Sequence, residues 1–241
     1  METFLLWLGV LAFVAATAYF VYLGTQAPSG GRIFHVITAI ITGVAAFSYF
    51  MMATGAGSVL LEGGRIFYYF RYIDWTITTP LLLLDLVLLA LVNPSRNISF
   101  VVGLIGLDIF MILTGLLAGS RDSGFGRGFW FIVSTVAMIA LLYLVATRLF
   151  SEAASQGGAA QQVFRTLAYL TIVLWSLYPI VWLIGTEGFG AVGSTTEVLL
   201  FLILDILAKI GFGILLLTNR EALSQAGGGG GGSAVQASRV R

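Results

Sequence analysis

The chain has 241 residues, 59% hydrophobic and only 10% charged, with a formal net charge of +1. A soluble globular domain keeps about a quarter of its residues charged, so this composition excludes one and indicates an integral membrane protein. There is no basic stripe to suggest a nucleic-acid partner, and the lack of cysteine excludes disulfides and thiolate metal sites.

A helix needs about 20 apolar residues to cross a bilayer. Such windows fall near 4–24, 33–54, 67–92, 97–119, 127–149, 163–185 and 196–218. Strand-like alternation is absent, which argues against a β-barrel. The expected fold class is therefore an all-α bundle of seven transmembrane helices in a multi-pass cell-membrane protein. The bundle is expected over residues 1–222, with 223–241 as a disordered Gly-rich cytoplasmic tail. Glu2 precedes the first span and no basic segment does, so a cleaved secretory signal is not expected. With the N-terminus outside, the inner segments hold Arg32, Arg96, Arg148, Arg165, Arg220, Arg239 and Arg241, against Arg65, Arg121 and Arg127 outside. Positive charge collects on the cytoplasmic side, so this count predicts N-terminus out and C-terminus in.

Between the spans, "QAPSGG" (26–31), "NPSRN" (93–97), "GSRDSGFGRG" (119–128) and "EAASQGGAAQ" (152–161) read as turns. The longer "GAGSVLLEGGRI" (55–66) is expected as a small hairpin or an irregular loop on the outer face.

Charge inside hydrocarbon is expensive and needs a reason. The set here is Arg71, Asp74, Asp85, Asp108, Asp205 and Lys209, with Glu187 and Glu197 near the outer ends of the last two spans. Polar pairs that lock helix packing are the ordinary explanation for one such group. A set this large points to chemistry. On the third span Asp74, Thr78 and Asp85 fall within about 40° of one another around the helix, and Asp85 lies about 16 Å deeper than Asp74. Arg71 stands one turn outside Asp74. This forms a ladder of proton-accepting groups along the membrane normal.

On the last span Asp205 and Lys209 share a face at i, i+4. A simple salt bridge is one reading of that pair. The other is a lysine that holds an aldehyde cofactor as an imine, because buried lysines shed their proton and serve such chemistry. Asp205 and Asp74 would then balance the imine's charge. The sixth span carries Trp175, Tyr178 and Trp182 on one face, with Pro179 bending the helix, and Trp75 follows Asp74. Aromatic stripes are commonly plain packing, but facing a buried lysine they suggest a cofactor box.

The segments "RYIDWTITTPLLLLDL" (71–86), "LWSLYPIVWLIGTEG" (174–188) and "EVLLFLILDILAKIGFG" (197–213) resemble the third, sixth and seventh helices of the microbial rhodopsins, and most closely the bacteriorhodopsin-type proton pumps. The resemblance implies all-trans retinal bound to Lys209 as a protonated Schiff base, and light-driven outward proton transport. It implies Asp74 as primary proton acceptor with Thr78 as its hydroxyl partner, Asp205 as second counter-ion, and Asp85 as the cytoplasmic donor with Thr38 nearby. Arg71 would couple Asp74 to a release group made of Glu187 and Glu197, expected to share a proton. Retinal contacts would come from Tyr49, Trp75, Thr79, Leu82, Met111, Phe131, Trp175, Tyr178 and Trp182. Tyr49 and Tyr178 would hydrogen-bond Asp205, and Thr79 would pair with a protonated, structural Asp108. Relatives often form trimers, so a homo-oligomer is also implied.

Phe131 stands where the family usually has tryptophan, and Thr42 where a proline is common, which predicts a straighter second helix. His35, the only histidine, is expected at the inner interface rather than in a proton relay. Pro179, Gly211 and Gly213 are the expected places for a conformational switch. A photosensory receptor that signals through a transducer is the competing function. Asp85 argues against it, since sensors commonly carry an apolar group there. Asp74 argues against a chloride pump, and the third span lacks the asparagine and glutamine of a sodium pump.

Overall fold

A computed structural model describes residues 1–122 and 124–227. Helix α1 spans Glu2–Thr25 and α2 spans Arg32–Ala53. A two-stranded antiparallel hairpin follows, β1 (Val59–Leu60) paired with β2 (Ile66–Phe67). Then come α3 (Tyr69–Ala90), α4 (Ile98–Gly119), α5 (Phe125–Gln156), α6 (Gly158–Ile184) and α7 (Ser194–Leu217). A short α8 (Arg220–Gly227) ends the described chain. The seven spans expected from hydropathy are thus seven helices long and apolar enough to cross a membrane.

The 55–66 stretch takes the hairpin form. Gly64 closes its turn at φ +80, donating its N–H to the Leu61 carbonyl; that backbone conformation is open to glycine because it has no Cβ. The tail boundary expected at 222 is corrected. Helix α8 runs on to Gly227, and Leu223 is buried, because an apolar side chain at that position can pack against the bundle end. The rest of the expected tail, 228–241, lies outside the described residues.

Burial is graded by helix. In α3 61% of the apolar window is buried, against 28% in α1 and in α5, so α3 is the central element and the outer helices face lipid. Their outward residues, such as Leu11, Val14, Val102, Ile132 and Ile139, are exposed and apolar. In water such a surface would aggregate, whereas in a bilayer it needs no partner.

Chain direction alternates from helix to helix. One end of the bundle gathers the start of α1, the hairpin and the 185–193 loop; we call it the hairpin end. The other gathers α8 and the 26–31 and 91–97 connections, the tail end. Glu2 fastens the hairpin end: its carboxylate accepts hydrogen bonds from the Ser194 and Tyr68 hydroxyls.

Helix α2 is continuous through Thr42, whose hydroxyl bonds the Thr38 carbonyl while Thr17 of α1 donates to it. Pro179 lies inside α6 and removes one rung of its ladder. Helix α7 widens to a π-helical turn over Ile206–Gly211, which contains Lys209. Such turns inside α-helices are frequent at functional sites; a second one lies at Val145–Leu149 of α5, away from the lysine, and nothing in the local sequence announces either.

Candidate functional site

Lys209 is almost fully buried near the middle of the bundle. Its ammonium donates to Asp74 Oδ2 across the α3–α7 interface and to Asp205 Oδ1 at 3.0 Å on its own helix. The two carboxylates then differ. Asp205 also accepts from the Tyr178 hydroxyl (2.9 Å), the Trp75 indole (3.2 Å) and the Tyr49 hydroxyl (2.9 Å). A carboxylate has about four lone-pair sites, so Asp205 is saturated and fixed. Asp74 keeps Oδ1 without a partner among the described residues. Of the two, Asp74 has room to take a proton.

Thr78 does not act as the hydroxyl partner of the Asp74 carboxylate. Its Oγ1 donates instead to the main-chain carbonyl of Asp74 at 2.9 Å. The cause is helical geometry: a threonine at i+4 finds the i carbonyl in reach, and this local bond competes with any side-chain partner.

Lys209 lines a cavity of about 100 Å³, measured as the space open to the centre of a water-sized sphere. Trp75, Thr79, Leu82, Met111, Phe131, Trp175, Tyr178 and Trp182 all line it, as expected. Phe131 stacks on Trp182 with ring centroids 4.5 Å apart, so the smaller ring still forms a flat wall. Tyr49 does not line the cavity, because its hydroxyl is committed to Asp205. Gly115 lines it too, and a Cβ there would stand 3.2 Å from Ser134 Oγ. A flat apolar slot with an amine in its wall and two carboxylates beside that amine fits a conjugated aldehyde such as retinal. In such a slot the rings would sandwich a polyene, the amine could condense with the carbonyl, and the carboxylates would balance the positive charge.

Toward the hairpin end the polar groups continue. Arg71 is buried and pairs with Glu197 Oε1 at 3.4 Å, its guanidinium 4.1 Å from the Phe201 ring centroid. Glu197 Oε2 accepts from the Thr186 amide (2.6 Å) and hydroxyl (2.7 Å). Glycine at 185 permits this, since a Cβ there would come 2.7 Å from that oxygen. Glu187 accepts from the Tyr72 hydroxyl at 2.9 Å, and Tyr72 in turn accepts from the Trp182 indole at 3.0 Å. Burial pushes the Glu187 carboxyl up to about 7 against the opposing pull of Arg71 and Arg65. Glu187 and Glu197 make no hydrogen bond to each other among the described residues, so the shared proton expected of them is not present as a direct contact. Each has recruited its own donors, which satisfies two buried carboxyls better than one repulsive pair. Tyr72 and Arg65 were missed in the sequence; the only local signal was tyrosine next to Arg71.

Toward the tail end the surroundings change. Asp85 is fully buried, and neither of its oxygens has a partner among the described residues. Leu83, Leu86 and Val87 beside it are equally buried. Thr38, expected near Asp85, donates to the Phe34 carbonyl at 2.8 Å, again through the i−4 preference. His35 holds the Gly31 carbonyl through Nδ1 at 3.0 Å. The expected interhelical pair is present. Thr79 Oγ1 lies 2.7 Å from Asp108 Oδ2 and 2.7 Å from the Trp75 carbonyl. A hydroxyl has one proton to give, so a protonated Asp108 donating back satisfies both contacts.

Fold and site together define a seven-helix membrane protein built around a buried, doubly paired lysine in an aromatic slot. The family model of "Bacteriorhodopsin-like protein" matches residues 1–223. The chain is 42% identical to archaerhodopsin-3 of Halorubrum sodomense, over 92% of this chain and 86% of that one. It is also 42% identical to bacteriorhodopsin of Haloterrigena sp. (strain arg-4), over 93% and 90%. Its fold is similar to that of thermophilic rhodopsin from Rubrobacter xylanophilus, with TM-score 0.93, 59% identity, and 95% of this chain and 100% of that one covered. The light-driven proton pump LR (Mac) from Leptosphaeria maculans gives TM-score 0.85 and 33% identity, with 93% and 96% covered. The chain belongs to the bacteriorhodopsin-like family.

Proposed function

We propose that this protein is a light-driven proton pump that carries retinal on Lys209 and moves protons from the tail end of the bundle to the hairpin end. Bound retinal would supply light absorption and a change of shape at the lysine nitrogen. The protein's own groups supply the direction. The transported proton sits on Lys209 Nζ, with Asp74 against it. Asp74 takes it through the acceptor atom that has no other partner. Asp205, held by three donors, stays in place and helps balance the charge on the lysine. Arg71, paired with Glu197, makes proton loss at the hairpin end responsive to charge on Asp74. Asp85 returns a proton to Lys209 Nζ from the tail end.

The observation that carries this reading is the pair Asp74 and Asp85 on one face of α3, one paired to the lysine and one buried with no partner among the described residues. A sensory protein has no need of the second. The arginine count supports an outside position for the hairpin end, which makes the proposed transport outward. The name of the Leptosphaeria maculans relative supports the same activity.

Cells making the protein with added retinal should acidify their medium under light, and a protonophore should abolish the signal. Lys209→Ala should remove both colour and pumping. Pigment-bearing vesicles that move no protons in light would overturn the proposal.

A further inference from the structure

We propose that Arg65, on the hairpin outside the lysine site, is a positioning residue for proton release: it holds a fixed positive charge against Glu187 and thereby sets the pH at which Glu187 gives up its proton. The inference rests on the reading of Glu187 as part of the release group.

The geometry is that of an anchored charge. Arg65 precedes β2, and its side chain is only 12% exposed. Its Nη2 donates to two main-chain carbonyls, Gly119 at 2.6 Å and Arg121 at 3.1 Å. Those bonds fix the guanidinium at the end of α4. They also leave Nη1 facing Glu187 Oε1 at 3.9 Å, buried and with no hydrogen bond among the described residues. That distance is too long for a hydrogen bond and short enough for a strong charge interaction where water is scarce. The other carboxylate oxygen, Oε2, takes the Tyr72 hydroxyl. Glu187 is thus held between a phenol that reports on the cavity wall through Trp182 and a cation that belongs to the outer loop.

The other cations near Glu187 have contacts of their own, although Arg71 also lowers its proton affinity, and more strongly than Arg65 does. Arg71 of α3 is paired with Glu197 of α7. Arg127 of α5 donates to the Gly188 and Asp122 carbonyls, and Arg121 lends only its carbonyl to Arg65. Arg65 is therefore the cation whose removal changes the field at Glu187 without dismantling the Lys209 site. A cation lowers the proton affinity of a nearby carboxylate, so its loss makes Glu187 hold its proton to higher pH.

The test uses the full chain loaded with retinal in lipid vesicles. The first readout, in darkness, is the pH midpoint of the Glu187 carboxyl infrared band, assigned by Glu187→Gln. The second is the pH below which prompt flash-induced proton release is lost. In Arg65→Gln both midpoints should move up by about one pH unit or more, with the absorption maximum unchanged. Arg65→Lys should recover at least half of that displacement. Arg65→Met, which removes the charge but keeps the length, should behave as Arg65→Gln and stands in for it if that variant forms no pigment. Midpoints that stay put in a pigmented Gln or Met variant overturn the proposal. If Glu187→Gln leaves prompt release intact, the release reading fails, and the dark titration alone then decides whether Arg65 governs the Glu187 proton.

Discussion

The two halves of the bundle are built on opposite principles. From Lys209 to the hairpin end, the buried carboxylates are tied into a network, with Asp74 Oδ1, Arg65 Nη1 and Asp122 Oδ1 left without a partner among the described residues. Asp205 has four, Glu197 has three, and Glu187 reaches the cavity wall through Tyr72 and Trp182. From Lys209 to the tail end, Asp85 stands alone among leucines with both oxygens unpartnered. A connected network can shift a proton by small movements, because donors and acceptors already touch. A lone carboxyl in apolar packing can give its proton up only after the packing opens. The hairpin half is thus ready to pass charge at any moment, and the tail half is shut until something changes. That asymmetry is what one-way transport requires, since an always-open path on both sides would leak.

Removing the acceptor breaks the wired half most severely. In Asp74→Asn, Lys209 keeps Asp205 as its only carboxylate, and that group is saturated. Transport should stop. The absorption maximum should also move to longer wavelength, because negative charge beside the lysine nitrogen has been lost. A flash experiment that finds normal proton movement, or a spectrum that finds unchanged colour, would show that the two carboxylates are not distinguished as their partners indicate.

The tail half responds in rate rather than in colour. Asp85→Asn removes the proposed proton source but fills the same space, so the absorption maximum should hold while return of the proton to Lys209 slows by about 10²-fold or more, the usual loss when a positioned acid is removed. Added azide, a small diffusible acid, should restore part of the rate. If the rate is unchanged, Asp85 is not the donor and the asymmetry has no function.

How much of this could be read from the chain alone follows the range of the interaction. Asp74 and Asp85 on one face, or Asp205 one turn from Lys209, depend only on helical period, and the structure keeps both placements. Trp175, Tyr178 and Trp182 reach the cavity for the same reason. The failures are of two kinds. Thr78, expected to partner the Asp74 carboxylate, bonds a main-chain carbonyl four residues back, a local competition that residue type alone does not resolve. Tyr72 and Arg65 meet Glu187 across more than a hundred residues of sequence, and no spacing rule reaches that far. The π-helical turn at Lys209 belongs with these, being set by how α7 packs rather than by a breaker residue.

The boundary between the halves gives the smallest effect and the finest test. Thr79 joins α3 to Asp108 of α4 at the level of the cavity. In Thr79→Val the shape is kept and the hydroxyl is lost. Asp108, already carrying one oxygen without a partner, would then have neither satisfied. Leaving a buried polar group unpaired costs about 1–3 kcal/mol. For a chain of this size that corresponds to a thermal midpoint lower by roughly 2–4 °C for each kcal/mol, measured as loss of visible absorption on heating. The double variant Thr79→Val/Asp108→Leu removes both partners, so the midpoint should recover most of the loss, since an apolar pair leaves nothing unsatisfied. If the single variant is as stable as the parent, the α3–α4 contact is held by packing alone, and the polar network stops at Lys209 instead of extending one turn past it.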